Sequence, residues 1–283
     1  MTETVRARLP GAFWLAAALP LALLGALYAP VWPEWASDLW NDPDYSHGLL
    51  VPFVSAWLVY ERRAELARLP PRPSLSGVVL LLLGVGVLLA GLLAAEFFLT
   101  RVSLIVLLAG LVVLNLGFGH LRLLALPIGF LFFAIPLPAI VLNAITFPLQ
   151  LIASKLAIAT LHAIEVPSLR EGNVILLPNT SLEVAEASSG LRSLVALTAT
   201  SVLVATLMLR SLPARLFLIA LSVPIAVVLN GLRVAGTGFL AYHVGAGAAE
   251  GFFHGFSGWV VFVAALATIA LSTWPLRRLE ERT

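Results

Sequence analysis

The chain has 283 residues, of which 60% are hydrophobic and only 11% charged, and its formal net charge is +2. A water-soluble domain of this length carries far more surface charge, so the composition excludes that class. The basic residues fall in short clusters between apolar runs, which indicates membrane topology rather than a nucleic-acid groove. The lack of cysteine excludes disulfides and a thiol nucleophile. Repeated apolar runs of about 20 residues predict an all-α polytopic membrane protein, with residues 1–283 forming a single domain.

The apolar runs predict about eight transmembrane helices. The first run follows Arg6 and Arg8 and precedes no clear small-residue cleavage site, so we expect a retained span rather than a signal peptide. The expected spans are residues 11–30, 46–60, 75–98, 102–119, 123–145, 189–209, 214–240 and 256–276.

Basic residues accumulate in alternate connections between these spans. The positive-inside rule assigns that side to the cytoplasm and predicts that both termini are cytoplasmic. The residues concerned are Arg6, Arg8, Arg62, Arg63, Arg68, Arg72, Arg122, Arg210, Arg215, Arg277, Arg278 and Arg282. The opposite, external side collects most of the acidic residues.

The longest connection lies between the fifth and sixth spans. Residues 144–163 are apolar with interspersed polar groups, which predicts an amphipathic helix at the outer interface or a re-entrant segment. Beyond Pro167, residues 174–177 and 182–184 predict the strands of a short external β-hairpin, with residues 178–180 as its turn. Such a hairpin would cover a site or offer its edge to an extended peptide.

Reactive side chains occur where three apolar segments begin or end. Ser188 starts the sixth span within E-V-A-E-A-S-S-G-L-R-S-L, Arg233 lies near the outer end of the seventh, and His254 precedes the eighth. All three fall on the external side, so we expect them to converge on one site. Arg192 follows Ser188 by one helical turn, and it could assist Ser188 or pair with Glu186.

Each of these residues also has a structural interpretation. Ser188 could cap the sixth helix, Arg233 could pair with Glu183 or Glu186, and His254 could be an interfacial histidine. The histidines lack partners at ligand spacing, so no metal site is predicted. No glycine-rich nucleotide loop follows a strand, so no cofactor is predicted.

Six motifs resemble those of the exosortases, membrane-embedded transpeptidases of bacteria related to archaeosortases. In chain order they are D-P-D-Y-S-H-G-L-L-V-P at 42–52, A-I-P-L-P at 134–138, R-E-G-N-V-I at 170–175, V-A-E-A-S-S-G-L-R-S-L at 184–194, N-G-L-R-V at 230–234 and F-H-G-F-S-G-W at 253–259. Each motif alone is weakly specific. Their combination and order are highly specific and cover nearly the whole chain.

The resemblance implies a catalytic cysteine, an arginine and, in bacterial members, a histidine, which map onto Ser188, Arg233 and His254. It implies cleavage of secreted proteins at a C-terminal sorting signal, a Pro-Glu-Pro motif followed by a transmembrane helix and a basic tail. It also implies a multi-pass protein of the bacterial inner membrane with its active site at the periplasmic face, and exopolysaccharide machinery as a further partner. The candidates for substrate binding are Arg192, Arg170 and Glu186.

Serine at position 188 is the one departure from the family pattern, and it predicts an inactive form because a hydroxyl is a weaker nucleophile than a thiolate. An engineered exchange, a natural serine enzyme with His254 as base, and a natural pseudoenzyme all fit the sequence. Two other classes also stay open. One is a rhomboid-like intramembrane serine protease with a Ser188–His254 dyad; the other is a non-catalytic transporter or assembly protein.

Overall fold

The computed structural model describes residues 11–42, 45–184, 190–245, 247 and 252–281, without the side chains of residues 11–17, 190–193 and 252–255. Within that part the chain is mainly helical, as predicted. Five helices are long and apolar enough to cross a membrane: Ser76–Leu93, Phe97–Asn115, Ala139–Ala163, Leu212–Val244 and Phe256–Glu280. Three shorter apolar helices are Ala18–Leu27, Phe118–Ala134 and Leu194–Met208. The protein is therefore an all-α polytopic membrane protein with a small sheet.

The chain forms two compact units, residues 1–137 and residues 138–283. The elements of the first unit are α1 (Gly11–Leu27), α2 (Trp32–Asn41), a 3-10 helix (Ser46–Leu49), α3 (Val51–Glu61), α4 (Arg63–Arg68), α5 (Ser76–Leu93), α6 (Phe97–Asn115), α7 (Phe118–Phe130) and a second 3-10 helix (Leu131–Ala134). Those of the second unit are α8 (Ala139–Ala163), β1 (Leu169–Glu171), β2 (Val174–Leu176), β3 (Ser181–Glu183), α9 (Gly190–Met208), α10 (Leu212–Val244) and α11 (Phe252–Glu280). The expected single domain stays a prediction.

Helices α5 and α6 of the first unit pack closely along a row of glycines. A Cβ atom at Gly77, Gly84 or Gly91 of α5 would come within 2.4 to 2.7 Å of atoms in α6. Small residues let two helix backbones approach in a membrane, where packing rather than hydrophobic burial drives association. The short connection at Ala94–Glu96 therefore joins two tightly apposed spans.

An ion pair between a buried arginine and a half-exposed aspartate joins α2 to α6 at one end of this unit. Arg101 of α6 is bonded to Asp38 of α2, and their side chains are 3% and 43% exposed. The Arg101 guanidinium also lies 5.7 Å from the ring centroids of Trp35 and Phe97. Trp35 Nε1 donates to Ala134 O at 2.8 Å. The pair thus anchors α2, which leads into the motif at 42–52.

The second unit contains two apolar cores. Leu197, Ala205, Leu218, Ala226 and Ile269 belong to a buried cluster shared by α9, α10 and α11. A second cluster joins α8, α10 and the sheet, and its buried members are Ala153, Ala157, Leu161, Val166, Ile175, Leu177, Val184, Val234, Ala235 and Ala241. Helix α10 therefore lies between the α9–α11 pair and the layer formed by α8 and the sheet.

Helices α8 and α10 run parallel. A Cβ atom at Gly231 of α10 would lie 3.1 Å from Ala153 O, and one at Gly238 would lie 3.2 Å from Leu161. Later residues of α8 thus contact later residues of α10, as expected for parallel helices. Helix α11 is antiparallel to α10. The Glu280 carboxylate at the end of α11 accepts hydrogen bonds from the amides that immediately precede the start of α10.

The prolines at positions 136 and 138 move the helix boundaries away from the expected fifth span at 123–145. The 3-10 helix after α7 ends at Ala134, and α8 begins at Ala139 and continues for 25 residues. Proline restricts the preceding residue and lacks an amide hydrogen, which explains the break. Residues 144–163, expected at the interface, thus form most of a helix that is long and apolar enough to cross a membrane.

The sheet has one strand more than the expected hairpin. Strands β2 and β3 lie within one or two residues of the expected 174–177 and 182–184, and β1 pairs with β2 to give the antiparallel order β1-β2-β3. The sequence feature that indicates the additional strand β1 is the Gly172-Asn173 dipeptide, which forms a two-residue hairpin turn between β1 and β2. Gly172 has φ +65°, a left-handed conformation that glycine adopts without steric cost.

Candidate active site

The start of α9, residues 230–233 of α10 and the first turns of α11 lie at about the same height along the helix bundle, near the sheet. Thr198 Oγ1 of α9 lies 3.5 Å from Ser222 Oγ of α10. Gly190 precedes Thr198 by eight residues, and Asn230 follows Ser222 by eight residues. Each separation is about 12 Å along the helix axis. Because the two helices are antiparallel, α9 begins level with Asn230, one turn before Arg233.

Arg233 is a charged residue at this level of the bundle. It is buried, with 6% of its surface exposed, and its Nε donates to Ser257 Oγ of α11 at 3.0 Å. A guanidinium keeps its charge even when buried, and a charge on a membrane helix marks a functional site by default. Ser257 lies three residues after His254, so the two residues occupy neighbouring turns of one side of α11.

The length of α10 sets the depth of Arg233. Helix α10 has 33 residues, about 50 Å, against a hydrocarbon layer of about 30 Å. Arg233 lies about 32 Å along α10 from Leu212, and Ser257 lies about 34 Å along α11 from Glu280. Glu280 binds the amides of Arg210 and Ser211 beside the start of α10. The hydrogen bond between Arg233 and Ser257 therefore lies about 30 Å, the thickness of the hydrocarbon layer, from the end of the bundle where Arg210 is located.

The other expected site residues are described only in part. Ser188 and Glu186 lie outside the described residues. His254 lies in α11 and Arg192 in α9, while their side chains are outside the described part. The structure thus brings Arg233 to the helix that carries His254, and the convergence of Ser188 with both stays a prediction.

Arg170 lies on β1, where its guanidinium binds the sheet's own turn. Arg170 Nη1 donates to Gly172 O at 2.7 Å and lies 3.4 Å from Ser154 Oγ of α8. In the sheet register Arg170 pairs with Ile175, which is fully buried in the core between the sheet and the helices. Arg170 therefore lies on the side of the sheet that faces α8.

Two residues of this region had no expected role. One is Ser257, the partner of Arg233. The sequence feature that could have indicated it is its position three residues after His254, on the same side of a helix. The other is Asn230, which is 7% exposed and whose buried Oδ1 has no hydrogen-bond partner among the described residues. Asn230 lies one turn before Arg233 and one turn after Ala226, which packs against α9 and α11. The Asn230 amide oxygen therefore lies inside the bundle beside Arg233.

We expect replacement of Asn230 by leucine to stabilise the protein by about 1 kcal/mol, because it removes a buried acceptor whose desolvation is not offset by a hydrogen bond. The check is the midpoint of thermal unfolding in detergent, which should rise by about 2 to 4 °C. Asn115→Leu is the matched control. Its Nδ2 donates to Leu111 O at 2.9 Å on an exposed helix end, so no comparable rise is expected. An unchanged midpoint for Asn230→Leu would show that the buried amide costs no stability, and a lower one would show that it stabilises the fold.

Among the described residues, no group of three His, Asp or Glu side chains is close enough to hold a metal ion.

A family model for transmembrane exosortases matches residues 35–271 of the chain. No curated protein and no solved structure matches it. The matched range includes all six motifs, most of each compact unit, and the residues Arg233 and Ser257 that the structure joins. Because the match covers most of the chain, the protein belongs to the transmembrane exosortase family.

Proposed function

We propose that this protein has the architecture of a membrane-embedded transpeptidase or protease that cleaves C-terminal sorting signals of secreted proteins. The family consists of membrane peptidases and transpeptidases whose substrates are proteins with sorting signals. The observation that carries the proposal is the buried Arg233, held by Ser257 of α11 at the level where α9 begins. A fixed cation at that place suits chemistry that develops negative charge.

Residue 188, Arg233 and His254 form the proposed catalytic group. In the cysteine form, the thiolate attacks the carbonyl carbon of the scissile peptide, and the C–N bond breaks as His254 donates a proton to the leaving amine. An amine or water, deprotonated by His254, then attacks the resulting thioester and releases the thiolate. Arg233 stabilises the thiolate or the oxyanion, since a guanidinium stays charged in a low-dielectric site.

Serine at position 188 makes this chain an inactive form in the proposal. A hydroxyl needs a well-placed base before it attacks an amide, whereas a thiol near a cation is partly ionised at neutral pH. Serine and cysteine side chains have nearly the same shape, so serine at position 188 leaves the shape of the site nearly unchanged. We therefore expect substrate to bind without turnover.

We place the site at the periplasmic face of the bacterial inner membrane. The short connection before α10 carries Arg210, and the last turn of α11 carries Arg277 and Arg278. Arg233 lies at the opposite end of these helices. The positive-inside rule assigns the arginine-rich end to the cytoplasm, which supports an external site and a cytoplasmic C-terminus.

The proposed substrate has a Pro-Glu-Pro motif, a transmembrane helix and a basic tail. Its helix would lie beside the enzyme, with the tail at the arginine-rich side and the motif at the level of Arg233. Arg192 on the first turn of α9 is the favoured partner for the acidic motif, because guanidinium–carboxylate pairs are strong and directional. Arg170 fits this role less well, since its Nη1 already binds Gly172 O.

The test is to co-express the chain, or its Ser188→Cys variant, with a membrane protein that ends in such a signal, and to follow cleavage by gel shift. We expect cleavage by the Ser188→Cys form and none by the serine form. Addition of His254→Ala to the cysteine form should abolish it.

Cleavage by the serine form that does not require Arg233 would instead support a rhomboid-like serine protease with a Ser188–His254 dyad. Lack of cleavage by both forms, across several sorting signals, would favour a non-catalytic membrane protein.

A further inference from the structure

The turn between β1 and β2 is held to α8 by a set of hydrogen bonds centred on one carbonyl. Gly172 O accepts from Arg170 Nη1 at 2.7 Å and from Ser154 Oγ at 3.1 Å. Ser154 is fully buried, and its hydroxyl also lies 3.0 Å from Leu151 O of its own helix. One hydroxyl proton cannot serve two acceptors fully, so Arg170 is the stronger donor to Gly172 O.

The same turn also holds the end of β3. Val184 N donates to Asn173 O at 2.8 Å, and the Val184 side chain is fully buried in the core between the sheet and the helices. Val184 is the last described residue before the segment that contains Ser188. Gly172 and Asn173 thus connect three points: strand β1 through Arg170, helix α8 through Ser154, and the chain that enters this segment.

Helix α8 relates this turn to Arg233. Ala153, the neighbour of Ser154, has its carbonyl oxygen 3.1 Å from the Cβ position of Gly231. Gly231 lies two residues before Arg233 on α10, and Val234 belongs to the same buried cluster as Val184. One turn of α8 therefore contacts both the Gly172 turn and the part of α10 that carries Arg233.

We propose that Arg170 is a positioning residue, which fixes the chain entering the Ser188 segment relative to Arg233 by holding the Gly172 turn against Ser154. The proposal rests on the catalytic group proposed above, and it replaces the substrate-binding role expected from the sequence. Arginine suits the task because Nη1 carries two hydrogens in the rigid guanidinium plane, and this one nitrogen donates to both Gly172 O and Ser154 Oγ. Lysine offers only a point charge on a flexible stem.

The test uses the Ser188→Cys protein without substrate. The chain has no cysteine of its own, so residue 188 would be its single thiol, and iodoacetamide alkylation reports on that thiol alone. A nearby cation increases the thiolate fraction and hence the alkylation rate at neutral pH. The measurement is the alkylation rate across pH 5 to 10 in detergent.

With Arg170→Met added, we expect alkylation at pH 7 to slow about tenfold and its pH profile to move upward, because the chain leading to residue 188 is then no longer held at the place beside Arg233 that the proposed catalytic group requires. Arg170→Lys should recover part of the rate. Where cleavage is measured, kcat should fall while KM changes little, the mark of an interaction that acts on the reacting group rather than on binding.

Arg215→Met is the matched control. Arg215 Nε donates to Leu209 O at 2.9 Å at the opposite end of the same unit, so this variant loses a comparable arginine–carbonyl bond. Its alkylation profile should match that of the Ser188→Cys protein. If Arg170→Met fails to fold, Ser154→Ala removes the second donor to Gly172 O and should shift the profile in the same direction by a smaller amount.

An Arg170→Met profile identical to that of the control, with a raised KM for substrate, would overturn the positioning role in favour of substrate binding. An unchanged profile in both Arg170→Met and Ser154→Ala would overturn it as well. The readout needs no substrate, so an Arg170-dependent profile in a protein that cleaves no sorting signal supports the positioning role while the proposed substrate fails.

Discussion

Replacement of Arg233 by methionine in the Ser188→Cys protein is expected to lower cleavage of a sorting-signal substrate by about a hundredfold to a thousandfold, the usual loss when one oxyanion-stabilising donor is removed. Methionine keeps most of the apolar stem, so the buried position stays filled while the cation is lost. The measurement is the initial rate of cleavage in detergent or liposomes.

Two variants sharpen this prediction. Arg233→Lys keeps a charge but loses the planar donor that binds Ser257 at 3.0 Å, so we expect an intermediate rate. Ser257→Ala keeps the guanidinium and removes its Nε partner, so we expect a loss of about tenfold. Arg62→Met is the control, because Arg62 donates to Leu123 O within the first unit. A rate for Arg233→Met within a factor of about three of the control would exclude a catalytic role for Arg233.

Removal of Asp38 is expected to destabilise the protein by about 3 kcal/mol, because it leaves the charge of Arg101 buried without its partner. The Arg101 side chain is only 3% exposed, and its buried Nε has no hydrogen-bond partner in the described part of the chain. The rings of Trp35 and Phe97 would remain as weak cation–π neighbours. The Asp38→Ala protein should therefore unfold about 6 to 12 °C earlier on heating in detergent.

A double variant separates the cost of the unpaired charge from a general loss of packing. Asp38→Ala with Arg101→Met buries no charge, so we expect it to recover most of the lost stability. Glu34→Ala provides the control, since Glu34 lies on an exposed position in the first turn of the same helix. If the double variant is less stable than Asp38→Ala alone, the ion pair is not the reason for the loss.

The parts of the structure that follow from local sequence were predictable. Apolar run length predicts a polytopic helical protein, and the alternation near residues 174–184 predicts two strands. The arginines at the start of α10 and at the end of α11 indicate the cytoplasmic end of these helices, which is the end opposite Arg233. Arg233 itself stands out because a charge within an apolar run requires a reason.

The parts that depend on tertiary contacts were not predictable from the sequence. Asp38 and Arg101 are far apart in the chain, and no local pattern indicates that they pair. The core-facing position of Arg170 depends on its register with Ile175, which became apparent only with the third strand. The expected fifth span was misplaced because the apolar run continues across Pro136 and Pro138, and hydropathy does not register a break in backbone hydrogen bonding.

The length of α10 has a consequence for how a substrate bond would be selected. Arg233 lies about 32 Å from the start of the helix, and about 16 Å of α10 continue beyond it toward the sheet. In the proposed function, the bond that is cleaved is then chosen by its height above the membrane as well as by its neighbouring residues. Insertion of two or three residues between a substrate's recognition motif and its transmembrane helix should reduce cleavage even when the motif is intact, and a matching deletion within the helix should restore it.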